Sequence, residues 1–342
     1  RGLINKPPLA TARGTDLDMP DVLITENIIG EEMDALRRDY NAVFDPDLWK
    51  HPEKLRGMIQ DFRALIARNQ TRITRELIEA GTRLEVIGRA GVGMDNVDLE
   101  AASQAGIVVA YTPEQNANSV AELTIGLIFG LARMIPEADA DTKRGGWNRG
   151  RFNGIELSGK TLGIVGLGRI GGSVAMKARA LGMETIAYDP YVDPESLRAM
   201  ESQAKLTCFD DVLSRADFVS LHAPETDETR WMFGYEQFCL MKPGAYFINT
   251  ARGGLVDEEA LLRALSEKRI AGAALEVRAQ EPAAPSAFDE MANVILTPHI
   301  GAQTREAQRR VVAAICRDVA AVLDGGAAKN FANFSKPRRS NL

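Results

Sequence analysis

The chain has 342 residues, of which 45% are hydrophobic, and a formal net charge of −6. This length and composition predict a soluble protein with two domains, each large enough to bury its own core. The acidic balance offers no basic surface for a phosphate backbone, since the one basic cluster, residues 336–339, lies in a polar tail. We therefore expect no nucleic-acid partner.

The ends of the chain and its most apolar segment bear on targeting. Residues 1–18 lack the apolar segment of a secretory signal, so we predict a disordered N-terminal extension, with Met19 as a natural start. Residues 336–342 are predicted to be a disordered tail. The most apolar segment, Leu123–Ala132, is too short to span a bilayer and is expected to form a buried or subunit-contact helix rather than a membrane anchor.

The cysteines are few, odd in number and widely spaced, and they are set in apolar segments: Cys208, Cys239 and Cys316. This pattern favours reduced core thiols over disulfides or a metal site. We therefore expect a cytoplasmic protein without a bound metal.

Strand-like runs alternate with helical patterns along almost the whole chain, which is typical of parallel, doubly wound α/β sheets. The predicted strands are Val22–Thr25, Ala64–Ala67, Leu84–Gly88, Gly106–Ala110, Thr161–Val165, Glu184–Tyr188, Phe218–His222, Tyr246–Thr250, Ala271–Leu275 and Val294–Thr297. One sheet cannot hold them all. We predict a cofactor domain over residues 114–300, inserted in a smaller domain formed by residues 19–113 and 301–335, with the active cleft between the two.

A glycine-rich turn comes after the predicted strand Thr161–Val165 and leads into a helical pattern at Ser173–Leu181. Gly166 allows the tight turn, Gly168 lets backbone N–H groups approach a pyrophosphate, and Gly171 lets the helix pack closely on the strand. The pattern predicts a dinucleotide site. A similar turn also occurs as a simple strand-to-helix connection that binds no ligand, so the interpretation depends on the next strand of the chain.

An acidic residue, Asp189, ends that next strand about 20 residues beyond the glycines, where a carboxylate can accept hydrogen bonds from ribose hydroxyls. Its charge would repel a 2′-phosphate, and Pro190 and Tyr191 offer no arginine to neutralise one. NAD is therefore favoured over NADP. The alternative is that Asp189 only forms the turn before Pro190.

Three segments at strand ends carry side chains suited to chemistry. Arg252 offers a planar fork for the carboxylate and carbonyl oxygen of a 2-oxo acid. His299 can carry a proton near neutral pH, and a carboxylate such as Glu281 hydrogen-bonded to the imidazole would favour its protonated form. Taken singly, these residues also fit a surface ion pair, a loop histidine and a solvated turn.

Together with the glycine turn, these segments resemble the D-isomer-specific 2-hydroxyacid dehydrogenases, in particular their phosphoglycerate dehydrogenase branch. The resemblance extends over about Asp21–Phe334 and includes residues 89–98, 118–122 and 251–257. It implies an α/β fold of two doubly wound parallel sheets, with a Rossmann NAD-binding domain inserted in a smaller flavodoxin-like substrate domain. It also implies a homodimer, and because the chain ends soon after its last helical pattern we expect a short form without a C-terminal regulatory domain.

The activity implied by the resemblance is hydride transfer between C2 of a D-2-hydroxy acid and the nicotinamide of NAD. Arg252, Glu281 and His299 match the family's substrate-binding arginine, histidine-orienting glutamate and acid/base histidine. The predicted cofactor-binding residues are Gly166, Gly168, Arg169, Ile170, Gly171, Asp189, Ala223, Pro224, Thr229, Thr250, Ala251, Arg252, Glu276, His299 and Gly301. The predicted substrate-binding residues are Arg68, Asn69, Gly91, Val92, Gly93, Arg252 and His299.

Arg68 bears on the identity of the substrate. In the phosphoglycerate branch a matching arginine meets the distal phosphate, which implies a three-carbon acid with a distal anion, although a sulfonate or a second carboxylate would satisfy the same charge. The segment Gly91–Val92–Gly93 resembles the family's cradle for the substrate carboxylate, and its alternative is a plain tight turn.

Some residues depart from the family pattern. Glu276 stands where an aspartate near the nicotinamide is usual, Arg278 where an aromatic residue is common, and Val92 where a hydroxyl is frequent. Because misplacing a reacting atom by about 1 Å can cost 10²-fold in rate, we expect weak activity on standard substrates as one outcome. The alternatives are a glyoxylate or hydroxypyruvate reductase, and a non-enzymatic, NAD-sensing protein similar to transcriptional corepressors of the same fold.

Overall fold

The computed structural model describes residues 20–338, which divide into two compact units: residues 20–113 with 311–338, and residues 114–310. The predicted extension 1–18, Met19 and residues 339–342 lie outside the described residues. The described part of the predicted tail, 336–338, is ordered against its unit, because the Arg338 N–H donates to Gly106 O over 2.9 Å and the guanidinium lies 4.5 Å from the centre of the Phe334 ring.

The first unit is a five-stranded parallel sheet in the order β2-β1-β3-β4-β5. Its elements are β1 (Val22–Ile24), α1 (Glu31–Asp39), β2 (Ala42–Phe44), α2 (Pro52–Met58), β3 (Ala64–Ala67), α3 (Arg75–Ala80), β4 (Val86–Arg89), α4 (Leu99–Gln104) and β5 (Val108–Ala110), with short 3₁₀ helices at Leu48–Lys50 and Ile59–Asp61. Side chains alternate between two apolar layers: Val22 and Ile24 pack with Val319 and its neighbours on one face, and Leu23 packs with Leu77 and its neighbours on the other.

The second unit is a seven-stranded parallel sheet in the order β12-β11-β10-β9-β6-β7-β8. Its elements are α5 (Ala117–Arg133), α6 (Ile135–Lys143), β6 (Thr161–Val165), α7 (Arg169–Ala180), β7 (Glu184–Tyr188), α8 (Leu197–Ser202), β8 (Lys205–Leu206), α9 (Phe209–Arg215), β9 (Phe218–Leu221), α10 (Tyr235–Leu240), β10 (Tyr246–Asn249), α11 (Glu258–Ser266), β11 (Gly272–Leu275), β12 (Val294–Leu296) and the start of α12 (Arg305–Leu323), with 3₁₀ helices at Arg149–Arg151, Gly253–Leu255 and Ala287–Glu290. The strand order reverses between β6 and β9, and open α/β sheets bind ligands at such a switch point. The predicted fold class is confirmed.

The prediction of core thiols is wrong for two of the three cysteines. Cys208 is exposed because it is the N-cap residue of α9, and Cys239 is exposed because it follows the buried Phe238 on the outer side of α10. Cys316 is buried, and burial raises the pKa of its thiol to about 12.

The apolar segment Leu123–Ala132 lies within α5, where Leu127, Ile128 and Leu131 pack into the core of the second unit. Of the helices in residues 20–338, none alone is long and apolar enough to cross a membrane. The pair α5 and α6, bent by 64° at the break, meets that criterion jointly by length and composition.

Candidate active site

The glycine-rich turn joins β6 to α7 at the switch point of the seven-stranded sheet. Gly166 has φ +93°, and a Cβ there would lie 2.7 Å from Ala223 N, so a side chain does not fit. A Cβ at Gly171 would lie 2.1 Å from Gly166 O, which explains how the helix comes so close to the turn. Space beside Gly168 is open to 4 Å, and α7 begins with neither an acidic first turn nor a side-chain cap. This cradle fits the pyrophosphate of a dinucleotide.

Asp189 is half-buried at the end of β7 and uses both carboxylate oxygens within the protein. Oδ2 accepts a hydrogen bond from the Leu167 N–H over 2.8 Å, and Oδ1 accepts one from the Tyr191 N–H over 2.9 Å. Asp189 therefore does stabilise the turn at Pro190, which was the alternative to a ribose contact. Its carboxylate also binds the backbone of the glycine-rich turn. Its contact with a ribose stays a prediction.

Arg252, Glu281 and His299 follow three neighbouring parallel strands, β10, β11 and β12, whose carboxyl ends lie side by side. His299 Nδ1 lies 2.7 Å from Glu281 Oε2, and both side chains are partly exposed, by 46% and 39%. His299 has φ +55°, an uncommon conformation for a residue with a side chain, and its N–H donates to Glu276 O over 3.0 Å. Arg252 Nη1 donates to Ala251 O over 2.7 Å.

The electrostatics of this group favour an ionised Glu281. Burial raises the pKa of Glu281, but the interactions with His299, the Arg278 N–H and the Arg252 charge together outweigh it, so that the pKa of Glu281 is lowered. A carboxylate anion can only accept a hydrogen bond. The geometry therefore places the proton on Nδ1 of His299 and leaves Nε2 available to exchange a proton with a ligand.

Glu276, one of the three residues that depart from the family pattern, is 2% exposed at the end of β11. Its two oxygens accept hydrogen bonds from the Thr297 hydroxyl and the Gly301 N–H, on either side of His299. Burial raises the pKa of Glu276, and these hydrogen bonds offset only part of the effect. The longer side chain thus holds the segment that carries His299, and its contact with a nicotinamide stays a prediction.

The remaining predicted cofactor residues lie along the same edge of the sheet or beside the glycine turn. Thr229 Oγ1 donates to Pro224 O over 2.7 Å, and Thr250 Oγ1 lies 3.1 Å from Thr124 Oγ1 on α5. Arg169 forms an ion pair with Glu114. Three further predicted residues are buried or partly buried: Ile170, Ala223 and Ala251.

In the first unit, the predicted substrate loops follow the neighbouring strands β3 and β4. Arg68 and Asn69 come directly after β3, and the segment 91–93 comes two residues after β4. Asn96 Nδ2 links the loops by donating to Arg68 O over 2.7 Å. Burial lowers the pKa of Arg68, with Glu26 opposing the effect. The two loops thus lie together at one carboxyl edge and include a partly desolvated cation.

Glu26 is a buried residue of this edge that the sequence patterns did not reveal. Its side chain is 1% exposed, and Oε1 accepts hydrogen bonds from the Arg68 N–H over 2.7 Å, the Thr71 N–H over 2.9 Å and the Thr71 hydroxyl over 2.8 Å. Oε2 accepts a longer bond from the Gln70 N–H over 3.3 Å. A carboxylate two residues after a buried strand was the available signal. Glu26 therefore fixes the loop that carries Arg68.

Among residues 20–338, no group of three or more His, Cys, Asp or Glu side chains is arranged to hold a metal ion.

Comparison with known proteins places this geometry in a family. Residues 125–301 match the model of the D-isomer specific 2-hydroxyacid dehydrogenase, NAD binding domain. The D-3-phosphoglycerate dehydrogenase of Methanocaldococcus jannaschii is 47% identical over 282 residues, which are 82% of this chain and 54% of that protein. The chain spans about half the length of the curated relatives it matches.

Solved structures share the fold of this chain. The TT0316 protein from Thermus thermophilus is 35% identical, with a TM-score of 0.85 over 91% of this chain and 99% of that one. A glyoxylate reductase from Paecilomyes thermophila is 31% identical, with a TM-score of 0.83 over 92% of this chain and 98% of that one. The predictions of the family, of its phosphoglycerate dehydrogenase-like branch and of NAD as cofactor are confirmed. The chain belongs to the D-isomer specific 2-hydroxyacid dehydrogenase family, and residues 125–301 are its NAD-binding domain.

Proposed function

We propose that this protein is an oxidoreductase that transfers a hydride between a D-2-hydroxy acid and NAD. The observation that carries the proposal is the 2.7 Å contact between His299 Nδ1 and Glu281 Oε2, at the same sheet edge as Arg252, within the family's NAD-binding domain. When bound, NAD supplies the hydride acceptor at the nicotinamide.

The side chains take complementary roles in this reaction. His299 accepts the hydroxyl proton on Nε2 during oxidation and returns it during reduction. Glu281 holds the proton on Nδ1 and stabilises the imidazolium that forms, as an orienting carboxylate does in other acid/base pairs. Arg252 binds the substrate carboxylate and stabilises charge on the reacting oxygen.

The proposed substrate is a three-carbon acid with a distal anion, similar to 3-phosphoglycerate. The partly desolvated Arg68 supports it, because a guanidinium removed from water attracts an anion more strongly than a solvated one. The names of the curated relatives also support it. The backbone of the segment 91–93 is proposed to bind the substrate carboxylate.

The test is NADH formation with D- and L-lactate, glycerate, 3-phosphoglycerate, malate and sulfolactate. We expect D-3-phosphoglycerate to be preferred, and Arg68→Ala to raise its KM about tenfold, a loss of about 1.4 kcal/mol, with little effect on glycerate. The exposed neighbour Arg72 provides the matched control, Arg72→Ala. Equal efficiency on lactate and 3-phosphoglycerate would refute the distal-anion proposal.

A second candidate is a glyoxylate or hydroxypyruvate reductase, which the similarity to the glyoxylate reductase structure favours. Turnover mainly in the reductive direction, with short substrates that lack a distal anion, would distinguish it. Measurable NAD binding without turnover in either direction would favour an NAD-sensing binding protein instead.

We further propose that the protein acts as a homodimer in the cytoplasm. The three unpaired cysteines fit a reducing compartment. The exposed apolar side chains Ile135 and Trp147, on and after α6, fit a subunit contact. Light scattering after size exclusion tests the dimer, and a monomer at micromolar concentration would contradict it.

A further inference from the structure

A bidentate ion pair stands at the base of the loop that carries Glu281. Arg278 Nε and Nη2 lie 3.0 Å from Oε1 and Oε2 of Glu258, respectively. The side chains are only 11% and 25% exposed. Nη2 also lies 3.3 Å from Ser286 Oγ, and the guanidinium carbon lies 4.8 Å from the centre of the Phe288 ring. The orientation of the guanidinium plane is therefore fixed on several sides.

The same carboxylate also holds the backbone of the loop. Glu258 is the first residue of α11, and its Oε1 accepts a hydrogen bond from the Ala279 N–H over 2.8 Å. On its other side the loop lies directly on Gly253, where a Cβ would come within 2.0 Å of the Arg278 carbonyl. Gly253 follows Arg252, so the loop is fastened next to a proposed substrate-binding residue.

The loop ends at the proposed proton-transfer pair. The Arg278 N–H donates to Glu281 Oε1 over 3.3 Å, and the other oxygen of that carboxylate meets His299 Nδ1. The contacts are therefore continuous from α11 to the imidazole. The contacts of Glu258 and of the Arg278 side chain are with the loop, and the hydrogen bonds that lead on from the loop to the imidazole pass through Glu281.

We infer that Arg278 and Glu258 are positioning residues, which fix the Glu281 carboxylate against Nδ1 of His299 and so keep Nε2 as the atom that exchanges the proton. This inference deepens the proposed function and rests on it for its kinetic consequence. Where the family commonly has an aromatic side chain, this chain positions its orienting glutamate with an ion pair. A small shift of a positioned group costs rate because the reacting geometry is narrow.

The kinetic test is a double-mutant cycle between Arg278→Met and Glu281→Gln. In the otherwise unchanged protein, Arg278→Met should lower kcat/KM about tenfold through kcat, and Arg278→Lys should recover part of the loss. In the Glu281→Gln background, Arg278→Met should lower kcat/KM by less than about twofold, because the carboxylate that Arg278 positions is already absent. The matched control is Arg263→Met, which breaks another pair on α11, with Glu267, away from the Glu281 loop. An equal loss in both backgrounds would overturn the inference.

A second readout needs no substrate. The chain has three histidines, so long-range ¹H–¹⁵N spectra can resolve His299 and report which nitrogen of the neutral ring is protonated. We expect the Nδ1–H tautomer in the unchanged protein and in Arg263→Met, and a mixture of tautomers in Arg278→Met and Glu281→Gln. An unchanged tautomer in Arg278→Met would overturn the positioning role. If that tautomer shifts while the unchanged protein turns over no hydroxy acid, the positioning role stands and the proposed function fails.

Discussion

His222 gives the sharpest prediction, because this half-buried residue has a ring nitrogen shut off from water, which makes stability depend on pH. The residue directly follows β9, and its carbonyl carbon would lie 2.7 Å from a Cβ at Gly166. Its Nε2 lies 2.9 Å from Ser220 Oγ, whereas Nδ1 is buried without a hydrogen-bond partner among residues 20–338. Burial lowers the pKa of His222 to about 3.

The size of the effect follows from proton linkage. An imidazole in the unfolded chain has a pKa of about 6.5, so below that pH the unfolded state binds a proton that the folded state excludes. Stability is therefore unaffected by this group above about pH 7 and falls as the pH drops toward the folded value. At pH 5 the free energy of unfolding is lower by about 2 kcal/mol than above pH 7. Any folded pKa well below 5 gives the same figure, because the ring in the folded protein is still neutral at that pH.

The assay is urea unfolding of the unchanged protein and of His222→Asn at pH 8 and pH 5. The unchanged protein should lose about 2 kcal/mol more than the variant between the two pH values. The comparison is made within each protein, so a packing defect in the variant cancels. The control is His51→Asn, which removes an imidazole that solvent already reaches. Parallel pH dependence in the unchanged protein and His222→Asn would refute the reasoning.

Three further predictions rest on buried groups and backbone geometry. Glu26→Ala leaves several loop N–H groups without their acceptor and should lower the free energy of unfolding by about 3 kcal/mol; superimposable urea curves would contradict this. Because a side chain does not fit at Gly166, Gly166→Ala should lower the melting temperature and raise the Kd for NAD, as measured by fluorescence titration. The control is Gly126→Ala on α5, where a Cβ meets open space and should stabilise the protein by about 1 kcal/mol. Burial raises the pKa of Glu258, but the hydrogen bonds from Arg278 and the Ala279 N–H and the charge of Arg278 together lower it, so the stabilisation is present above the unfolded pKa of about 4.3 and is lost as the pH falls through the lower folded pKa. In urea unfolding, Glu258→Gln should therefore be less stable than the unchanged protein at pH 7, and the difference should shrink as the pH falls below about 4.3; a difference that does not change with pH would contradict this.

The strands were predictable where a buried apolar run marks them. Ten predicted runs correspond to ten observed strands with ends displaced by at most two residues. The two missed strands, Ala42–Phe44 and Lys205–Leu206, are short edge strands of their sheets, and none of their residues is fully buried. Strands of three and two residues are too short to show a period.

The site was predictable only where a residue belongs to a local pattern. The glycine turn and the three strand-end segments were recognised from sequence, and the 2.7 Å contact between Glu281 and His299 agrees with the orienting role they implied. Glu26 had only its position after a buried strand as a signal, and Glu258 belongs to none of the recognised motifs. Their roles depend on backbone N–H groups that lie 42 and 21 positions away in the chain, which only the tertiary structure brings together.

The double use of the Asp189 carboxylate has a consequence for redesign. Replacing Asp189 with a small neutral residue is the obvious first step toward admitting a 2′-phosphorylated dinucleotide. The same step would remove the acceptor of the Leu167 N–H and that of the Tyr191 N–H. Under the predicted role of Asp189, cofactor preference is thus tied to the integrity of the loop, and an engineered switch would need compensating acceptors for both N–H groups before an added arginine could take effect. Asparagine supplies only one of them, because its amide nitrogen is a donor.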